Sequence, residues 1–400
     1  MIERIVVVGA SLAGLRAVEA LRIGGYEGEI VVVGVEPHRP YDRPPLSKRL
    51  LSGEWEPDRI VLRKQDDMAS LDVEWRLGVA ATGLDTDRRS IALSDGSAIG
   101  FDGAILATGA SPRMLPDQGR HDHVVVLRTL DDSLDLRRRV VNGGRRVVVI
   151  GAGFIGLEVA STARLLGNDV VVLEAAPAPL GHALGNEMGA AIAAVHADHG
   201  VEVRCNVAVE GLATGAVLVD GGWHEHADVV VVGIGVTPAT DWLNGSGLRI
   251  RDGLVCRSDL NVGVPLVYAA GDIVRWHNPL FDEEMRIEHW TNASEQGALA
   301  AANLLAEGAE QPTTPYAPVP FFWSEQYDRR IQFLGRASAG DDVRIVAGSP
   351  DDRQFAALYG RAGRLRGVLG MNMPRHVMPF RNHLLAGIGF GEALALAAES

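Results

Sequence analysis

The sequence predicts an α/β chain that uses one βαβ fold twice and closes on a smaller α+β domain. Two glycine-rich turns and a change of character near Pro312 predict it. Gly9-Ala-Ser-Leu-Ala-Gly14 follows the valine run at residues 6–8, and Gly151-Ala-Gly-Phe-Ile-Gly156 follows the one at 147–149. Each reads as a tight turn from a buried strand into a helix, where missing side chains and the helix N-terminus favour a phosphate. Both are Rossmann-like fingerprints, so two dinucleotides are implied.

Taken in order, residues 5–8, 13–22 and 30–33 read as strand, helix, strand. The same pattern returns with strands at 147–150 and 170–173 around a helix beginning near Ile155. Strand-like runs at 103–106 and 228–232 end in Ala107-Thr108-Gly109 and Gly233-Ile-Gly235-Val-Thr-Pro238, expected to be hinges where the chain crosses between domains. From Pro312 a proline cluster, the aromatic Phe321-Phe-Trp323 and short strands at 331–334 and 343–346 begin a third domain. Expected boundaries are 1–110 with 239–315, then 111–238, then 316–400. Residues 384–398 read as a buried terminal helix, too short and broken to span a membrane.

At 400 residues, 47% hydrophobic and 22% charged, the chain can bury the cores of two or three domains. A net charge of -13 argues against nucleic acid as a partner. With no leader segment apparent, the expected location is the cytoplasm. Cys205 and Cys256 are the only cysteines, so there is no CxxC relay and electrons would pass onward directly. From Arg329 to Arg381 there are ten Arg against four Asp, which reads either as a surface for an acidic partner or as a solvated arginine-rich face. The histidine pairs His196/His199 and His224/His226 read as surface positions without a ligand cluster, so no metal site is expected. No hydrolase nucleophile elbow is apparent.

Both glycine turns, Ala107-Thr108-Gly109, Tyr268-Ala-Ala-Gly271-Asp272 and Phe322-Trp-Ser-Glu-Gln-Tyr327 occur in this order along the whole chain. With them the sequence resembles the flavin-dependent NADH:ferredoxin reductases of bacterial oxygenase systems, both cytochrome P450 and aromatic-ring dioxygenase. The resemblance implies a glutathione-reductase-like architecture with FAD in the N-terminal domain and NADH in the second. It further implies that electrons leave singly for an acidic two-iron two-sulfur ferredoxin that feeds an oxygenase. Two other outlets use the same sites: an oxidase or quinone-type reductase, and a flavin-binding interaction protein similar to apoptosis-inducing factor.

For FAD the resemblance implies Gly9, Ser11, Ala13 and Gly14 at the pyrophosphate, with Ser11 standing where the fingerprint usually has glycine. Glu36 is placed to accept from the adenosine ribose, or is a surface turn glutamate. Arg43, Pro45 and Lys48, in a proline-fixed extended stretch before a helix, lie along the flavin in similar reductases, with Lys48 facing the isoalloxazine. The backbone of Val79, Thr108, Gly109 and Arg128 follow from the resemblance, although Arg128 alternatively pairs with Asp131 or Asp132. Gly271 and Asp272 fall on the ribityl or pyrophosphate part. Glu288 and Trp290 open a helix aimed at the pyrimidine edge, Trp290 through its backbone.

For the nicotinamide nucleotide, Gly151, Gly153, Phe154, Ile155 and Gly156 form the turn, and Ile234 and Gly235 lie nearby. Glu174 ends the second strand and, with no Arg at 175 or 176, predicts NADH over NADPH. Residues 178–182 lack the basic residues usual in similar reductases, which predicts weaker pyrophosphate binding. The resemblance implies that Glu158 reaches the nicotinamide carboxamide and pairs with Lys48, joining the cofactor domains; alternatively it forms an ordinary helix ion pair. Phe154, Ile155 and Pro45 would wall the stacked rings. Trp323 lies by analogy on the exit route of the electrons, or is simply a core aromatic.

Overall fold

The computed structural model describes residues 2–399. Two compact units emerge, one of Met1–Asp42, Val61–Ser111 and Thr237–Pro320, the other of Arg43–Ile60, Pro112–Val236 and Phe321–Ser400.

The first unit is built on a parallel sheet in the order Val267–Ala269, Gly103–Leu106, Arg4–Val8, Glu29–Gly34, Glu74–Leu77. Val6 lies between Val31 and Ala104 in register, and the valines of both central strands are essentially inaccessible. Burial on both faces is why these strands read as unbroken apolar runs, each such side chain contributing about 1.5–3 kcal/mol. Helices Leu12–Ile23 and Trp290–Gly308 pack closely, because at Gly297 a Cβ would lie 2.2 Å from the Ala13 carbonyl oxygen. Before the strand Gly103–Leu106 stands an antiparallel trio, Ala81–Asp85, Ser90–Leu93 and Ala98–Gly100.

The second unit repeats this plan. Its parallel sheet runs Glu202–Cys205, Asp169–Glu174, Arg146–Ile150, Val229–Val232, Val124–Val126. An antiparallel trio, Val209–Ala213, Ala216–Val219 and Trp223–His226, again precedes the strand next to the first. Only the fifth strand differs in origin, coming from late in the chain in one unit and from before the first strand in the other.

The second unit also carries a five-stranded antiparallel sheet in the order Phe321–Gln326, Arg329–Gly335, Arg364–Met371, Gln354–Arg361, Asp342–Ser349. One face turns Phe322 onto Phe154, with ring centroids 4.6 Å apart, and Gln326 onto His196, at 2.9 Å. Short helices cover the other, since a Cβ at Gly370 would lie 2.4 Å from Val377 and one at Gly360 2.4 Å from the Phe390 ring.

Two local readings are corrected. Residues 384–398 form two helices, Phe380–Ala386 and Phe390–Ala398, because Gly387 breaks the run with φ +64°. The proline stretch does not stay extended up to Lys48: Pro44–Ser47 is a short 3-10 helix, a conformation that proline's fixed φ permits. The segment Arg43–Ile60 packs on helices Leu130–Val140 and Phe154–Leu165. Ser133 Oγ donates to the Leu46 carbonyl at 2.7 Å, Thr162 Oγ1 to that of Ser47 at 2.8 Å, and Arg137 pairs with Glu56 at 2.8 Å.

Candidate functional site

The second glycine turn separates structural glycines from the one that leaves room. Gly151 has φ +100°, and a Cβ there would lie 2.4 Å from the Gly233 carbonyl oxygen; at Gly156 it would lie 2.2 Å from that of Gly151. A Cβ at Gly153 would meet nothing nearer than Gly233 O at 4.0 Å. Gly153 caps helix Phe154–Leu165 with extended backbone and no side chain to satisfy the first N–H groups. The result is an open, donor-lined cradle of the kind a pyrophosphate fills. Glu174 accepts from Ala152 N–H at 2.6 Å and from Ala176 N–H at 2.8 Å. Gly235, at φ +94°, faces open space, and Ile234 beside it is half-buried. In the segment that lacks basic residues, Ala178, Pro179 and Leu180 are buried beneath helix Asn186–Asp198, a Cβ at Gly189 lying only 2.2 Å from Pro179 O.

The first turn has the same build. At Gly9, φ +123°, a Cβ would lie 2.0 Å from Ala107 O, and at Gly14 1.9 Å from Gly9 O. Ser11 caps helix Leu12–Ile23 with extended backbone, yet its hydroxyl makes no capping bond. Gly271, at φ +82°, brings its turn against the first turns of two helices, with a Cβ 3.3 Å from Ala13 Cβ and 3.7 Å from Ala293 Cβ. Two helix N-termini and a glycine turn thus converge, which suits a ligand with paired phosphates. Around them Tyr41 donates to Glu36, Val79 N–H to Gly34 O at 3.0 Å, and Thr108 Oγ1 to Ala239 O at 2.8 Å. Gly109 adopts φ +71°. Asp272 is half-buried, its carbonyl receiving Arg286 at 3.3 Å, while exposed Glu288 pairs with Arg286 at 2.6 Å. The Trp290 side chain is itself engaged, Nε1 donating to Asp42 Oδ1 at 2.7 Å.

The remaining site residues cluster in the second unit. Lys48 Nζ lies 2.6 Å from Glu158 Oε2, an oxygen that also accepts from Ser47 Oγ at 2.5 Å. Ser324 Oγ donates to Oε1 at 2.7 Å. Glu158 is only 5% exposed, so a charge that is costly to bury is met by one cation and two hydroxyls. Arg43 Nη1 donates to the Arg128 carbonyl at 2.5 Å. Asp132 uses its carboxylate to accept from the N–H groups of Arg128 and Thr129, at 3.0 and 2.8 Å. Pro45 is buried, Phe154 half-buried and Ile155 40% exposed.

Sequence reasoning missed Ser47, Ser324 and Gln326. The signal was there for the last two: they alternate with Phe322 along one strand, a polar pattern on a buried face. His196 is corrected from surface to core. It is fully buried, and burial foremost, aided by nearby His199, lowers its pKa to about 4 against the opposing hydrogen bond to Gln326.

Trp323 alternates with Ser324 and therefore points away from Glu158, its ring 6.0 Å from that of Phe321. The arginines of this domain form no single patch. Arg329 and Arg330 pair in register with Gln326 and Glu325 at one end of the sheet, whereas Arg364 and Arg366 lie at the other. The strand Arg364–Met371 between them puts the ends ~24 Å apart. Arg329, Arg344, Arg353 and Arg361 have carboxylate partners, Asp328, Asp342, Asp198 and Asp341. Among the described residues no group of three or more His, Cys, Asp or Glu side chains is arranged to hold a metal, and no helix is long and apolar enough to cross a membrane.

Residues 3–297 match the family described as pyridine nucleotide-disulphide oxidoreductase, and residues 321–399 match the one described as reductase C-terminal. The chain belongs to the pyridine nucleotide-disulphide oxidoreductase family. It is an oxidoreductase with FAD and NADH as its cofactors. It is 34% identical to a putidaredoxin reductase of Pseudomonas putida, over 93% of this chain and 89% of that one. It is 36% identical to the ferredoxin–NAD(+) reductase component of an anthranilate 1,2-dioxygenase system of Burkholderia cepacia, over 96% of this chain and 94% of that one. Among solved structures it is similar to the covalent putidaredoxin reductase–putidaredoxin complex, with TM-score 0.92 and 30% identity over 100% of this chain and 99% of that one.

Proposed function

We propose that the protein uses NADH to reduce an acidic two-iron two-sulfur ferredoxin that supplies an oxygenase. The observation that carries this reading is the pair of glycine turns, one in each unit: Gly9 and Gly14, like Gly151 and Gly156, are pressed against backbone, and in the second turn Gly153 leaves open space at the helix N-terminus where a dinucleotide's phosphates would lie. FAD belongs to the first and NADH to the second; residues 1–110 with 239–315, 111–238 and 316–400 act as FAD, NAD and C-terminal domains. FAD, when bound, supplies the chemistry of taking electrons as a hydride and releasing them singly. The chain's part is to bind and orient: Glu174 for the adenosine ribose, Glu158 with Lys48 for the carboxamide end, and Phe154 and Ile155 to exclude water. With Cys205 half-buried, Cys256 buried and the two far apart in sequence, the reading needs no thiol relay. We also propose that the protein works in the cytoplasm, beside the NADH pool it draws on.

For docking, Arg330 is the stronger candidate over Arg364. It is exposed, sits on the strand paired with that of Trp323, and shares Trp323's face of the sheet two residues from Gln332, the partner of Trp323. The test is anaerobic: NADH should bleach the bound flavin, and an acidic ferredoxin should then be reduced at a rate that falls as salt rises. Arg330→Glu should raise the ferredoxin KM about fivefold at low ionic strength, with Arg364→Glu close to wild type. A yellow protein that NADH does not bleach, or ferredoxin reduction indifferent to salt, refutes the reading.

A further inference from the structure

The carboxylate of Glu158 ends a row of hydrogen bonds whose direction follows from one fact: an ionised carboxylate only accepts. Ser324 Oγ, 2.7 Å from Oε1, must therefore donate, and it accepts in turn from Gln326 Nε2 at 3.2 Å. That orientation of the amide turns Gln326 Oε1 to His196, whose Nε2, 2.9 Å away, must carry the proton. His196 Nδ1 is then the acceptor for the Tyr327 hydroxyl at 3.2 Å. Ser324, Gln326 and His196 are at most 1% exposed, so water does not substitute for any of them. Tyr327, at φ +55° in the two-residue turn of the hairpin, donates its N–H to Ser161 Oγ at 2.7 Å and stacks on His199 at 3.7 Å. Both ends of the row are thus tied down, one at Glu158 and one at helix Asn186–Asp198.

We propose that Ser324 is a positioning residue for the nicotinamide end of the bound nucleotide: the row from Tyr327 to Ser324 fixes the orientation of Glu158 before the nucleotide arrives. Lys48 and Ser47 both hold Oε2, which leaves the carboxylate free to swing about its last torsion. Ser324 holds Oε1 and removes that freedom. One lone pair of Oε1 stays available, and a carboxamide N–H is the group chemically matched to it. Preorganisation of this kind is gained before binding rather than during it. The inference rests on the reading of Glu158 as a contact of the carboxamide.

Calorimetry on the oxidised holoprotein tests it with two probes, NAD+ and ADP-ribose, the second lacking the nicotinamide. Ser324→Ala should weaken NAD+ about tenfold and ADP-ribose less than twofold, with flavin content unchanged. Bleaching at saturating NADH should slow by a similar factor. Ser324→Cys keeps the volume while losing the strong donor, so it should show the same selective loss even if the alanine variant folds poorly. Ser324→Thr restores the hydroxyl and should recover NAD+ affinity. Loss of both probes together, or wild-type NAD+ affinity in the alanine and cysteine variants, overturns the proposal. Glu158→Gln separates the two levels: if it leaves NAD+ binding unchanged, the reading of Glu158 is what fails.

Discussion

Glu174 accepts from the N–H of Ala152 across 2.6 Å, inside the turn that the second set of glycines creates. With Ala176 on its other oxygen at 2.8 Å, the carboxylate ties the strand end to the cradle. Each oxygen keeps an outer lone pair, so holding the turn and meeting a ribose are compatible duties.

Glu174→Arg is therefore expected to act twice. It removes the repulsion of a 2′-phosphate, shifting preference towards NADPH, and it releases two charge-assisted bonds that shape the cradle. NADH kcat/KM should fall by about a hundredfold, the effect of ~3 kcal/mol. Steady-state kinetics with both nucleotides decide it, and an unchanged NADH to NADPH ratio would remove Glu174 from the ribose.

The glycines of the same turn separate fold from ligand. Gly153→Ala adds a methyl that meets no atom nearer than 4.0 Å on a backbone alanine tolerates, φ -76° and ψ 177°. Its Tm should match wild type while the NADH KM rises about tenfold, because the methyl occupies the space of the phosphates. Gly156→Ala instead drives a methyl to 2.2 Å from the Gly151 carbonyl, a backbone atom with nowhere to go. That variant should lose roughly 1–3 kcal/mol of stability. Equal Tm losses in the two variants would count against Gly153 as the ligand-facing position.

Both cradles were legible because valine runs and glycines report buried strands and tight turns directly. The antiparallel trios were not. In Trp223–His226 the alternation is inverted: Trp223, His224 and His226 are exposed, while Glu225 is buried between Arg146 at 2.5 Å and Arg204 at 2.6 Å. An inward carboxylate matched by two arginines from other strands leaves no period-two apolar signal. Lys48 and Glu158 were named as a pair through resemblance, but the hydroxyls that complete the environment of Glu158, those of Ser47 and Ser324, lie 111 and 166 residues from it in sequence. Such convergence is a property of the tertiary fold, not of any local window. His196 sits on a helix where neighbouring His199 is half-exposed, so a spacing argument assigns both to the surface.

Lys48→Ala leaves Glu158 with Ser47 and Ser324 but without its cation. Removing one member of a buried pair is expected to cost about 3 kcal/mol, the lower end of the range because two hydroxyls still donate. Adding Glu158→Gln should recover much of that loss, since the uncompensated charge goes too. In anaerobic stopped-flow the single variant should reduce its flavin about tenfold more slowly at saturating NADH. An unaltered rate would take Lys48 out of the site, and a purely additive double variant would show that the pair is not coupled.

His196 makes stability depend on pH in a definite direction. Its folded pKa, about 4, lies below the ordinary value of 6.5, so between those values the unfolded chain binds a proton that the folded chain refuses. Folding is therefore opposed progressively as pH falls from about 6.5 to about 4, and the contribution of the neutral ring is complete above 6.5. The span corresponds to roughly 3 kcal/mol. His196→Gln carries no titrating ring, so denaturant unfolding of wild type and variant should converge towards pH 4 and separate towards pH 7, by up to that amount. Parallel stability curves across this window would mean that the His196 ring takes up its proton in the folded protein as readily as in the unfolded one.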